Sequence, residues 1–262
     1  MTEHAFPATP TNVKPLRGHN VVAVASGKGG VGKTWFSITL SHAMARLGRK
    51  TLLFDGDLGL ANVDIQLGLT PEYDLGQVIA GSVTMVRAAE RFTEGGFDII
   101  AGRSGSGSLA TLASQQLTGL RNELLEMART YDCVVMDMGA GIDRVVRQLA
   151  GPAGTTLVVT TDEPTSITDA YAFIKVTRAT NPAADIRIVV NLAQNQKEGE
   201  RTYGTIFKAC SNFLKFQPPL AGIVRRDLKV REAIRHQVPL LIRSPSSDAA
   251  KDVEAVARSL MG

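Results

Sequence analysis

Along the chain the spacing of apolar positions alternates between short unbroken runs and longer stretches with helical period. VVAVA at 21–25 is a β-branched run of strand length that ends at once in a glycine-rich loop. Residues 34–47 then place Phe36, Leu40, Ala43, Met44 and Leu47 on one helical face. TLLFD (51–55), FDIIAG (97–102), CVVMD (133–137), TLVVTT (156–161) and IRIVVN (186–191) read as further strands. Helices are predicted near 115–130, 142–150, 165–180, 199–214, 227–236 and 246–260. Continuous apolar strands alternating with helices predict an α/β fold, a mostly parallel sheet flanked by helices on both faces. No Pro/Gly/Ser-rich linker divides 19–262, so one domain is expected behind a flexible leader at 1–18 that carries three prolines.

Composition narrows the function classes. A hydrophobic share of 44% over 262 residues excludes a disordered or fibrous chain. Aromatics at 5% argue against a base-stacking platform for single-stranded nucleic acid. Cys133 and Cys210 are the only cysteines, too few for a disulfide framework and without zinc-ligand spacing. No apolar run approaches the ~18 residues of a membrane span. The leader lacks the apolar core of a signal peptide. The chain reads as soluble and cytoplasmic.

The formal charge of +4 conceals an asymmetry. Between Arg201 and Arg243 nine Lys/Arg face only Asp227 and Glu232, a local +7 that leaves the rest of the chain at −3. Such a stretch is either a solvated face or a surface for an anionic partner, DNA or an acidic protein.

The strongest chemical signal follows the first strand. Gly27-Lys28-Gly29-Gly30-Val31-Gly32-Lys33-Thr34 fits G-x-x-x-x-G-K-[ST] between a strand and a helix, the context that makes it a phosphate loop. Its glycines let backbone N–H groups converge on phosphate oxygens, beside the positive end of a helix. Lys33 is placed for the β- and γ-phosphates, and the Thr34 hydroxyl for Mg²⁺.

A Mg²⁺-nucleotide site also needs carboxylates at neighbouring strand ends, to hold the waters the ion keeps. Asp137 ends CVVMD just before Gly139-Ala140-Gly141, and Asp55 and Asp57 end TLLFDGD on one side of an extended chain. Any one of them alone also reads as a helix N-cap; beside the phosphate loop, the set fits the ion. Asp57 is the candidate for polarising the attacking water. The Asn-Lys-x-Asp of guanine-specific proteins is absent, whereas Asn191 closes IRIVVN with an amide suited to an adenine edge. A strand-ending Asn is an equally plain reading of that residue. ATP is favoured.

SGKGGVGKT (26–34), with Lys28 early in the loop, resembles the deviant phosphate loop of the MinD/ParA ATPases. DGDLGLANVDIQLGL (55–69) and DMGAGI (137–142) resemble the two switch segments of that family. TDEPTSITDAYAFIK (161–175) is similar to its FleN/FlhG branch, the MinD-like regulators of flagellar number and placement. The resemblance spans about 20–262.

It implies a single-domain P-loop NTPase in which ATP drives a face-to-face homodimer and slow, partner-accelerated hydrolysis ends it. Lys28 would reach the partner's phosphates. Asp57 matches the water-activating aspartate, Asp55 and Asp137 the holders of Mg²⁺ waters, Thr34 the direct Mg²⁺ ligand and Asn191 the adenine contact. A regulatory protein partner is implied, a flagellar assembly or transcription factor.

There are departures from the family pattern. Trp35 stands near the α-phosphate, where many relatives carry a small or polar residue. In GIVRRD (222–227), Arg225 replaces a proline of the segment that lines the base, with Asp227 beside it. The final SSDAAKDVEAVARSLMG lacks the aromatics and basic face of an interfacial helix, so it is expected to pack on the sheet with no autonomous membrane anchor. Two other functions share these residues: a ParA-like DNA-partitioning or cargo-positioning ATPase using 201–243, and a nucleotide-regulated binding protein with little hydrolysis.

Overall fold

All six predicted strands form, and two more join them. The computed structural model describes residues 18–102 and 112–261; apart from Gly18, which opens the first strand, the leader expected over 1–18 lies outside them. In chain order the strands are β1 (Gly18–Ser26), β2 (Thr51–Gly56), β3 (Glu90–Phe92), β4 (Phe97–Ile100), β5 (Cys133–Ala140), β6 (Ala153–Thr160), β7 (Ile186–Ala193) and β8 (Leu220–Arg225). They make one eight-stranded sheet in the order β3-β4-β2-β5-β1-β6-β7-β8. Every pair is parallel except the edge pair β3–β4.

The helices are α1 (Lys33–Arg46), α2 (Val63–Leu67), α3 (Leu75–Ile79), α4 (Met85–Ala88), α5 (Ser114–Ala128) and α6 (Arg144–Ala150). They continue with α7 (Pro164–Thr180), α8 (Gln196–Ala209), α9 (Leu228–Arg235), α10 (Leu240–Arg243) and α11 (Asp248–Ser259). Alternating strand residues feed two separate cores, because successive side chains leave a strand on opposite faces. Val21, Ala23 and Ala25 of β1 join α3 to α8 on one side. Val22 and Val24 join α1, α2 and α9 to α11 on the other. Both faces are therefore covered, which is why the central strands are apolar throughout.

One expectation changes in detail. The helix predicted over 199–214 leaves α-helical winding at Ala209 and ends in a π-helical turn, Cys210–Leu214, closed by Lys215 at φ 51°. Helical spacing does not register one inserted residue of that kind. The C-terminal segment packs as expected: Ala249, Ala250, Val253, Val256 and Ala257 of α11 are buried in the core shared with α1. Among the described residues no helix is long and apolar enough to cross a membrane. With β5 and β6 flanking β1, the strand order reverses at β1, and the crevice beyond its carboxyl end is where this architecture takes a ligand.

Candidate functional site

That crevice holds the glycine loop. The loop turns into α1 through Gly32, whose φ of 86° lies in the left-handed region and whose missing side chain leaves room for the Asn191 amide. At Gly27 a side chain would strike the main chain of α7 at Asp169, so glycine there is a packing requirement. Ser26 Oγ donates to the Lys28 carbonyl at 2.7 Å, and Gly141 N–H donates to the Ser26 carbonyl at 2.9 Å. The second switch segment is thereby stitched to the loop. No acidic residue occupies the first turn of α1, so its free N–H groups and positive dipole end have no internal anion.

Asp55 and Asp137 are directly paired in the register of β2 and β5, on neighbouring strands at the same level. Both are buried, at 0% and 1% exposure. Burial, then the neighbouring Asp137 charge, pushes the Asp55 carboxyl from 3.8 up to about 8. Burial likewise raises Asp137 to about 6, although Thr34, Lys33 and Ser37 all favour its charged form. Two buried carboxyls that hold protons this strongly fit a site that a divalent cation can discharge.

Ser37 Oγ donates to Asp137 at 2.9 Å from one helical turn beyond Lys33. That residue was not predicted; its i+4 spacing from Lys33 and i+3 spacing from Thr34 was the available signal. Among the described residues no three His, Cys, Asp or Glu side chains gather into a metal cluster. An ion here would draw its remaining ligands from Thr34, water and phosphate.

Asp55 also organises the first switch segment. Its carboxylate accepts N–H groups from Asp57 (3.3 Å), Asn62 (3.2 Å) and Val63 (3.2 Å). Asp57 accepts Leu60 N–H at 2.9 Å and Gly59 N–H at 3.3 Å, both through Oδ1. Its Oδ2 is then the atom free to face a water. Lys28 does not extend from the loop: its ammonium is paired with Glu163 at the start of α7 and donates to Thr165 Oγ1 at 2.8 Å.

The base-side candidates are occupied differently. Asn191 is 1% exposed and donates Nδ2 to the Val31 carbonyl at 2.8 Å. Only its Oδ1, buried and unpartnered, remains for a base. Arg225 is committed to α11: its guanidinium binds Asp252 at 2.8 and 2.9 Å and Asp248 at 3.1 Å. Those carboxylates, led by the Asp252 hydrogen bond, raise its pKa further. The expected base-lining role of Arg225 does not suit a side chain turned to α11. Asp227 caps α9 at Lys229 N–H (2.9 Å) and reaches Ala249 N–H (3.4 Å). The Trp35 indole lines a small cleft with Leu67, Ala233 and Leu240, which leaves its main-chain N–H as its offer to a phosphate.

Residues 22–240 match the family described as the CobQ/CobB/MinD/ParA nucleotide binding domain. The chain belongs to this family. It is a P-loop ATPase of the MinD/ParA kind. The antiactivator FleN of Pseudomonas aeruginosa is 38% identical over 240 residues, covering 92% of this chain and 85% of that protein. The flagellum site-determining protein YlxH of Helicobacter pylori is 27% identical over 241 residues, 92% of this chain and 81% of that one. In three dimensions a chain of the MinC:MinD cell division protein complex of Aquifex aeolicus superposes with a TM-score of 0.78 at 26% identity, over 93% of this chain and 96% of its own.

For this MinD/ParA chain the basic stretch at 201–243 proves not to be one surface. Arg201 and Lys208 ride on α8 over one face of the sheet, followed by Lys215 after the π-helical turn. Lys229, Arg231, Arg235 and Arg243 ride on α9 and α10 over the other. Arg225 is spent internally and Lys229 pairs with Glu232. The nine charges are thus divided between the two faces of the sheet on either side of the edge strand β8.

Proposed function

We propose that the protein is an ATP-driven, dimerising switch of the FleN/FlhG type that controls flagellar number or placement through a regulatory protein partner. The observation that carries the switch is the buried pair Asp55–Asp137, which ties the phosphate loop to both switch segments at one level of the sheet. The flagellar assignment is supported by the relatives FleN and YlxH, each matched through 92% of this chain.

In this reading the loop from Gly27 to Lys33 wraps the phosphates of ATP, Lys33 neutralises the β- and γ-oxygens, and α1 offers its dipole. When bound through Thr34 and through waters on Asp55 and Asp137, Mg²⁺ supplies the charge that phosphoryl transfer needs. Asp57 orients the attacking water through Oδ2. Lys28 leaves Glu163 and turns to the phosphates of the second subunit, where it stabilises charge that develops in the transition state. The Asn191 Oδ1 atom faces the adenine amino group. Hydrolysis ends the dimer, so chemistry times the engagement of the partner.

Size-exclusion chromatography with light scattering tests this directly, comparing ADP with ATP and Mg²⁺. The wild type is expected to dimerise only with ATP, Asp57→Ala to stay dimeric, and Lys28→Ala to dimerise weakly. A wild type that remains monomeric with saturating ATP and Mg²⁺ would remove the switch.

A further inference from the structure

On α9, Val230 and Ala233 turn to the core, while Leu228, Arg231 and Arg235 follow i, i+3, i+7 along the outward face. Leu228 is 71% exposed. Among the described residues the side chains of Arg226, Arg231, Arg235 and Arg243 make no ion pair or hydrogen bond, unlike Arg225 and Lys229 in the same segment. Beyond the helix, Ile242 is 44% exposed and borders a cleft of about 460 Å³ between α10 and the end of α2, lined also by Leu67, Gly68, His236 and Pro239 and carrying one acidic side chain, Glu94, which faces the apolar side of a bound helix rather than its acidic rim. Four unpaired arginines thus share one short segment of chain with the exposed aliphatic side chains Leu228 and Ile242.

That combination discriminates between anionic partners. Duplex DNA would use the arginines and leave Leu228 and Ile242 against a wet sugar–phosphate surface. A protein segment with aliphatic anchors inside an acidic rim satisfies both parts, as interfaces with an apolar centre and polar edge do. An amphipathic helix laid along a groove supplies the spacing.

The same surface is wired to the switch. Asp55 holds the Val63 N–H at the start of α2. Two residues on, the Ile65 carbonyl accepts Gln237 Nε2–H at 2.9 Å. Gln237 sits just past α9 at φ 54°, a left-handed conformation that a side chain tolerates only when its contacts hold it. The Asp55–Asp137 pair is therefore joined to the α9–α10 surface through two named hydrogen bonds and the short helix α2 rather than by proximity alone.

We propose that the outward face of α9, with the cleft between α10 and α2, docks an acidic amphipathic helix of the partner protein, and that the Asp55–α2–Gln237 contacts make this docking follow the nucleotide state. It rests on the partner-switch reading above and gives it a surface and a chemistry.

The probe is a short synthetic helix with leucines on one face and glutamates elsewhere, titrated into the full chain by fluorescence anisotropy. A same-charge helix with serine in place of leucine and a short DNA duplex are the comparisons, at one salt concentration. The leucine helix is expected to bind about tenfold tighter than the serine helix, ~1.4 kcal/mol. The double variant Arg231→Glu/Arg235→Glu and the single variant Leu228→Ser should each weaken it, the former more. Its affinity should differ between ADP and a slowly hydrolysed ATP analogue, and Gln237→Ala should erase that difference.

Equal binding of the two helices, or tighter binding of the duplex, overturns the proposal. So does loss of the ATP-dependent dimer in Leu228→Ser, since the face would then belong to the second subunit. A difference between ADP and ATP that survives Gln237→Ala removes the coupling. Should the wild type fail to dimerise, the switch reading falls, while the leucine–serine comparison in nucleotide-free protein still decides the surface.

Discussion

At the phosphate end of the site Lys33, Thr34, Ser37 and Asp137 converge, and the first turn of α1 keeps its N–H groups without an internal anion. At the base end Asn191 holds Val31, Arg225 holds Asp252 and Asp227 caps α9. The first set carries unbalanced charge and waits for a ligand; the second is engaged inside the fold except for the unpartnered Asn191 Oδ1. Affinity in such a site comes from phosphate, and the choice of base is left to main-chain groups and to one amide oxygen. Preorganisation is concentrated where charge must be stabilised.

Removing charge from the phosphate end should give the largest effects. Lys33→Ala is expected to lower hydrolysis on the order of a thousandfold and to weaken ATP and ADP together, because the lost cation faces both phosphates. Asp57→Ala should lose about 10²–10⁴-fold in kcat while ATP affinity is kept. Single-turnover cleavage with a parallel binding titration separates the two. Unaltered turnover in Asp57→Ala would take the water-orienting role away from that residue.

The buried pair predicts a pH signature next in size. Asp55 and Asp137 hold protons in the folded chain up to about 8 and about 6, against 3.8 for the ordinary carboxyl. The folded state then binds more protons than the unfolded one. Stability without ligand should be greatest below that ordinary value and fall as pH rises through the Asp137 and then the Asp55 range. Mg²⁺ with ADP must displace those protons, so its stabilisation should grow over the same window. Asp55→Asn should flatten the upper part of the profile. Thermal unfolding across pH, with and without Mg²⁺–ADP, reads both slopes; a wild-type profile that climbs toward alkaline pH would contradict the charge balance described here.

At the base end the expected effects are smaller and of another kind. Arg225→Ala should lower Tm by freeing Asp248 and Asp252, and change nucleotide Kd by less than about twofold, ~0.4 kcal/mol. Asn191→Ala should weaken GTP, because the amide braces the loop both nucleotides share, and weaken ATP more, because Oδ1 faces the adenine amino group. An equal loss of ATP and GTP in Asn191→Ala would take the base-reading role away from Oδ1. Competition titrations of the two nucleotides decide between these outcomes.

The same contrast explains what the sequence could say. The phosphate loop was legible because eight adjacent residues carry both the turn and the chemistry. Asp55 and Asp137 were legible as strand ends, but only the order β2-β5-β1 makes them neighbours. The partners of Arg225 and Asn191 lie 27 and 160 residues away, and the second partner of Asp227 lies 22 away, beyond any local pattern. The short helices α2, α3 and α4 complete too few turns to leave a period. A summed charge could not show that the basic stretch straddles the sheet, since that depends on which face each helix covers.

Trp35 tests where the phosphate end stops. It follows Thr34 directly, yet its indole packs against α2, α9 and α10, with Nε1 buried and unpartnered. The unpartnered Gln66 Oε1 and the Gln66 side chain border the same cleft of about 10 Å³, close to the room one water takes. As the only tryptophan, Trp35 reports on that contact without labelling. Its emission should shift when ATP and Mg²⁺ reposition α2, and shift less with ADP. Gln66→Leu should move the emission to shorter wavelength by removing the polar group. Trp35→Phe should leave nucleotide Kd within about twofold, since only the main chain at this position faces phosphate. A loss of tenfold or more in that variant would place the indole in the phosphate site and erase the boundary between the two ends.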